Sequence, residues 1–159
     1  MSIQVAILRH AIAEDGSATG SDFDRRVTRA GLVELELHLD LLASWGWAPS
    51  VVFHSPYVRT TQTAVAVVNR FGPLPVLATD VIVHGRPDEI LRLCAGHVAP
   101  LIVGHEPTVG ELVAHLLGAP PGGTSMARAG FALLDVDRIP TTRPARLRMF
   151  LPPQTSGSE

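Results

Sequence analysis

Three apolar runs set the rhythm of this chain. Residues 3–8, 51–54 and 101–104 are rich in Val, Ile, Leu and Phe with few polar interruptions, the pattern of strands buried on both faces of a sheet. The segments between them carry helical spacing. Thr28 is positioned to cap a helix over about 29–44. Within it, Val33 to Leu41 alternates as a half-buried strand would. Helix is nevertheless predicted, because Leu32, Leu35, Leu39 and Leu42 form one stripe and Leu and Glu outnumber β-branched residues. After the second strand, Ser55 reads as a helix cap and Pro56 as the first helical position, with Gly72-Pro73 ending that helix after about Phe71. A short strand at 76–79, a helix at 87–95, a strand at 101–104 and a helix at 107–117 follow. The Pro120-Pro121-Gly122-Gly123 turn then leads to two strands, about 130–136 and 146–151. Residues 14–24, with Gly16, Ser17, Gly20 and Ser21, read as a loop, and 152–159 as a disordered tail. Strands alternating with helices predict an α/β fold, a three-layer α/β/α arrangement around a mainly parallel sheet.

Composition narrows the class. A chain of 159 residues with 46% hydrophobic content suits one domain, here 1–151, with one substantial core. The formal charge of −2 argues against a nucleic-acid binder relying on a net positive field. Every cationic side chain other than histidine is arginine, the fixed fork suited to phosphate. The lone Cys94 excludes an internal disulfide and reads as a small buried apolar residue. No signal peptide and no run of membrane-spanning length is visible, so a cytoplasmic protein with no membrane partner is expected. Oligomeric state is not legible.

The apolar runs end in chemistry. The first stops at Arg9-His10, the second passes through His54 into Ser55-Pro56 with Arg59 close behind, and the third stops at Gly104-His105. Open α/β sheets place their ligands beyond such strand ends. Arg-His, Arg and His on three strand ends point to one anion pocket.

Four segments occur in a telling order: Leu8-Arg9-His10-Ala11, Val27-Thr28-Arg29-Ala30-Gly31, Ser55-Pro56-Tyr57-Val58-Arg59-Thr60-Thr61-Gln62-Thr63-Ala64, and Val103-Gly104-His105-Glu106-Pro107. Together they span most of the chain and resemble the signature of the histidine phosphatase superfamily, the phosphoglycerate mutase-like proteins, and within it the small SixA-type branch of phosphohistidine phosphatases. The resemblance implies the same α/β/α fold with a possible antiparallel edge strand. It implies His10 as a nucleophile that is transiently phosphorylated on a ring nitrogen, Arg9 and Arg59 as phosphate clamps and His105 as a further donor to the phosphoryl group. An imidazole suits that role, being unprotonated near neutral pH without extreme tuning. The usual Arg-His-Gly is Arg-His-Ala here, and a backbone needing positive φ at Ala11 would be strained.

Other positions stay open between a role in the site and a bland one. Arg26 lies where related sequences carry Arg-Pro-Leu-Thr and either reaches a phosphate or is a surface charge. His54 either lines the pocket or packs beside it, and His84, a candidate substrate-binding residue, lies with Asp80 in Thr79-Asp80-Val81-Ile82-Val83-His84-Gly85. Asp80 stands where many members place an acidic proton donor, and is otherwise a turn or cap residue. Asp88-Glu89 suit a helix N-terminus, and Glu106 either orients His105 or faces water. His10, His54, His84 and His105 could converge on a metal, but two arginines in one pocket repel a cation, so no metal or cofactor is expected. The weakly marked acid favours substrates whose leaving group needs little help. With no long insertion to form a lid, phosphohistidine on another protein is the expected substrate. The alternatives are a small phosphomonoester such as a sugar phosphate or nucleotide, and a non-catalytic phosphate-binding module.

Overall fold

The apolar runs become the centre of a six-stranded sheet in the computed structural model, which describes residues 2–153. The predicted tail lies outside the described residues from position 154 onward. Strands β1 (Ile3–Arg9), β2 (Val51–His54), β3 (Val76–Ala78) and β4 (Pro100–Gly104) are parallel, in spatial order β3-β2-β4-β1. The sheet continues with β5 (Phe131–Val136), antiparallel to β1, and β6 (Arg146–Leu151), antiparallel to β5. The antiparallel strand is therefore one in from the edge.

Helices α1 (Arg29–Ser44) and α2 (Val58–Phe71) follow β1 and β2 as the chain moves one way across the sheet. The chain then reverses, with α3 (Val81–His84), α4 (Pro87–Cys94) and α5 (Thr108–Leu117). Right-handed crossovers in opposite directions cover opposite faces. Alternate strand residues accordingly feed two cores. Val5, Ile7, Phe53 and Ile102 pack with Ile82, Ile90, Leu91 and Leu112, while Ala6, Leu8, Val52 and Leu101 pack with Leu35, Leu39, Leu42 and Val67. Burial on both faces explains why these strands read as unbroken apolar runs.

The ambiguous α1 segment is helical, capped by Thr28, whose side chain accepts the Gly31 amide at 2.9 Å. Leu35, Leu39 and Leu42 are buried as the stripe predicts, whereas Leu32 is 37% exposed. Gly31 is required by close approach, since a Cβ there would lie 2.5 Å from the Ile12 carbonyl oxygen. In α4, Asp88 and Glu89 sit in the first turn as expected, and Glu89 Oε2 accepts the Arg86 amide at 2.7 Å. Cys94 is buried and its thiol is pushed up to about 12 by burial, the state of an inert apolar residue.

One expectation is corrected. The second helix begins at Val58 rather than Pro56, and Ser55 caps nothing: its hydroxyl accepts the Tyr57 amide in a tight turn and faces His105. Residues 14–24 form a loop, as expected, with local order. Their base is closed by pairing of Ala13 with Val27, and Asp22–Asp24 form a 3₁₀ turn capped by Ser21. Among the described residues no helix is long and apolar enough to cross a membrane.

Candidate active site

Strands β2, β4 and β1 are neighbours, so their C-terminal ends meet, and they bring His54-Ser55, His105 and Arg9-His10 to one edge. Backbone bonds fix the ends: His10 donates to the Gly104 carbonyl at 3.0 Å, and Ser55 to Val103 at 3.3 Å. The His10 and His105 ring centroids lie 5.4 Å apart.

The His10 ring is 6% exposed and has a defined tautomer. Nδ1 is 2.7 Å from the Ala11 carbonyl oxygen, which only accepts, so Nδ1 carries the hydrogen and the neutral ring keeps its lone pair on Nε2. Burial, with the Arg59 and Arg9 charges nearby, lowers the His10 pKa to about 4. Ala11 supports this arrangement without strain. Among described non-glycine residues only Ala129 has positive φ, and the Ala11 amide donates to Thr63 Oγ1 at 3.1 Å.

Both arginines are anchored through their terminal nitrogens. Arg9 donates through one terminal nitrogen to the Met126 carbonyl at 2.8 Å, while Arg59 donates to the Asp22 carbonyl at 2.8 Å and the Asp22 carboxylate at 3.1 Å. Each leaves its Nε buried without a partner. His105 has the same property. Its Nε2 lies 2.5 Å from Ser55 Oγ, itself 2.6 Å from Thr60 Oγ1, and its Nδ1 is buried and unpartnered. Burial, then the charges of Arg59 and His10, lower its pKa to about 3. Buried unpaired groups are costly and uncommon. Three such groups lie around His10, and the two guanidinium charges that act on its ring suit the surroundings to an oxyanion.

Sequence reasoning missed several supporting residues. Arg25, rather than Arg26, is the loop arginine whose charge reaches His10, and it donates to the Glu14 carbonyl at 2.6 Å and to Asp22 Oδ1 at 2.8 Å. Counting Arg-Pro-Leu-Thr back from Thr28 would have placed the arginine at 25. Arg26 is exposed and lines a groove between α1 and α2 with Leu32, Gln62 and Val65. Tyr57 lies between the clamp and His105, with the Arg59 guanidinium 5.0 Å from its ring centre and the His105 centroid at 4.8 Å. Glu106 makes no bond to His105 and is half-buried. Its Oε1 accepts the Met126 amide at 2.9 Å, which braces the segment that holds Arg9. Burial raises its pKa.

His54 is 6% exposed at the end of β2, with Nδ1 2.7 Å from the Ser55 carbonyl oxygen. Asp80 and His84 are both exposed and share a surface hollow with Glu89 and Arg92. Among the described residues no hydrogen bond or ion pair links them to His10, Arg59 or His105, and no cluster of His, Cys and carboxylates has metal-binding geometry.

Solved structures match this chain over nearly its whole length, among them the following three. A protein assigned as phosphohistidine phosphatase SixA from Agrobacterium tumefaciens has a TM-score of 0.81 at 28% identity, covering 96% of this chain and 99% of its own. One similarly assigned from Nakamurella multipartitia has a TM-score of 0.80 at 26% identity, covering 98% of each chain. The protein histidine phosphatase SixA complexed with tungstate has a TM-score of 0.82 at 25% identity, covering 95% of this chain and 97% of its own. In comparisons of sequence alone, no family model and no curated protein matches significantly.

Proposed function

We propose that this chain, which belongs to the histidine phosphatase superfamily, removes phosphoryl groups through a phosphorylated His10 and acts on phosphohistidine carried by another protein. The observation that carries the reading is a neutral imidazole, fixed by the Ala11 carbonyl, beside two arginines whose Nε donors are buried without partners. A phosphoryl group bound beside His10 is met by the positive charge of both guanidinium groups. His10 Nε2 attacks phosphorus as the bond to the leaving group breaks in line, and Arg9, Arg59 and His105 carry the charge on the equatorial oxygens. Water then attacks the phosphorylated ring, releasing phosphate and restoring the lone pair on Nε2. The protein substrate is supported by what the similar proteins are named for. It is supported also by the P–N bond, whose cleavage asks little of a general acid.

The test is quenched turnover of labelled substrate, with the quench kept alkaline because phosphohistidine is acid-labile. Wild type should accumulate label on His10, and His10→Ala and His10→Gln should lose both label and turnover. Substantial activity in either folded variant refutes His10 as nucleophile. A panel of phosphohistidine protein, sugar phosphates and nucleotides separates the substrate classes, and a clear preference for a small phosphomonoester overturns the protein-substrate reading.

A further inference from the structure

The leucine stripe of α1 has one member that the core does not take. Leu35, Leu39 and Leu42 are buried, whereas Leu32 is 37% exposed and lines a groove between α1 and α2 together with Val65, 52% exposed, and the buried Ala66. Strands β1 and β2 are both parallel to β4, so the helices that follow them run in the same direction. At the far end Asp40 and Arg70, paired at 2.6 Å, tie the two helices together. At the near end the Val27 amide donates to Gln62 Oε1 at 2.7 Å. Gln62 is one turn beyond Arg59, and at about 1.5 Å of rise per residue the last α2 residue of the groove, Asn69, lies about 15 Å from Arg59 along the helix. The groove therefore begins beside the clamp and leads away from it.

Its charge is uneven. Arg26 and Arg29, both exposed, stand at the end nearer the clamp, and Glu36, also exposed, stands two turns further on. Among the described residues no ion pair engages any of the three. Neither helix has an acidic residue in its first turn, so nothing there offsets the two arginines. The chain as a whole has a formal charge of −2, which makes this positive end a local feature. An apolar channel with a cationic head and an anionic foot is complementary to an amphipathic helix of the opposite polarity. We propose that the α1–α2 groove docks the protein that carries the phosphohistidine, by seating such a helix with its carboxylates next to the phosphorylated residue. The proposal rests on the protein-substrate reading above. Arg26 and Arg29 meet the carboxylates of the partner helix, Leu32 and Val65 receive its apolar side chains, and Glu36 meets basic side chains about 10 Å further along. A small phosphorylated molecule gains none of these contacts.

The experiment compares two synthetic helical peptides of equal length and composition, each with one phosphohistidine at the same end and the same apolar stripe. In one the glutamates adjoin the phosphohistidine and the lysines lie at the far end; in the other that order is reversed. Phosphoramidate serves as the small substrate. For the full-length wild type, kcat/KM should be about five-fold or more higher for the first peptide, the scale of exposed charge pairs, and the difference should shrink in high salt. Arg29→Glu should abolish or invert that preference. The double variant Leu32→Ser with Val65→Ser should raise KM for both peptides. Phosphoramidate turnover should be unchanged in each. Equal kcat/KM for the two peptides in wild type, or a preference that Arg29→Glu leaves intact, overturns the docking, while phosphoramidate turnover keeps the phosphatase. Losses on phosphoramidate as large as those on the peptides overturn it as well. A wild-type dimer that the double variant disperses in sedimentation assigns the groove to a second copy of the chain, with the same consequence. Folded wild type that hydrolyses neither peptide nor phosphoramidate refutes the phosphatase reading, and this docking with it.

Discussion

Acidification offers a test of the site that needs no substrate. His10 and His105 have pKa values lowered from 6.5 to about 4 and about 3, chiefly by burial, and His38, buried in the α1 core, is lowered in the same direction. In the unfolded chain these rings protonate near 6.5, so below that pH the unfolded state binds more protons than the native one. Stability is then present in full above pH 6.5 and is lost as pH falls toward the folded values. From pH 7 to pH 5, linkage gives a loss of about 2 kcal/mol for His10 and a similar amount for His105. Urea unfolding of wild type, His10→Gln and His105→Gln at the two pH values isolates each ring. The stability gap between wild type and each variant should shift by about 2 kcal/mol over that interval, with wild type losing more. If His10 is the nucleophile, as proposed, the same ionisation governs catalysis. After correction for the substrate, kcat/KM should stay level from pH 7 to about pH 5 and decline only as pH approaches the His10 value of about 4. Parallel stability losses in all three proteins, together with an acid limb near pH 6.5, would show that the rings are not held neutral.

Further outcomes follow from the same geometry. Arg59→Lys should reduce kcat/KM by about 10²-fold or more, because a point charge cannot reproduce the planar fork that holds Asp22 and faces the phosphoryl group, and near-normal rates would place Arg59 outside the site. Asp80→Asn should keep most phosphohistidine turnover, since Asp80 is exposed and bonded to none of the clamp residues, and a loss approaching the roughly 10²-fold of a general acid would make it one. Vanadate or tungstate should inhibit competitively by meeting the charges of Arg9 and Arg59 beside His10, and chelators should leave turnover unchanged; strict dependence on added divalent metal would refute the arginine-pocket mechanism.

The order of elements was legible because both of its signals are local. Runs buried on two faces show as unbroken apolar strands, and Thr28, Gly72 and Pro87 mark helix ends through their own backbone chemistry. The pairing of Arg9-His10, Arg59 and His105 was legible for a related reason, since a parallel sheet brings strand ends to one edge whenever its strands are neighbours. Contacts between distant segments could not be read in this way. Ser55 has the character of a helix cap, yet its hydroxyl meets Thr60 and the Tyr57 amide nearby and His105 from fifty positions along the chain. Glu106 is next to His105 in the chain, yet it turns to Met126, twenty positions away.

What the sequence determined by itself is the set of chemical groups and the strand ends that carry them. Apolar periodicity, capping and turn residues act over a few positions, and they are sufficient to place Arg9, His10, Arg59 and His105 on one side of a sheet. Tertiary structure alone decided how each group is held. The His10 lone pair faces away from Ala11, Arg59 is tied to Asp22 through its terminal nitrogens with its Nε buried, and Phe23 of the exposed segment 14–24 meets Tyr57. Those features depend on burial and on partners tens of residues apart, and desolvation and ion pairing arise only once the chain has brought them together.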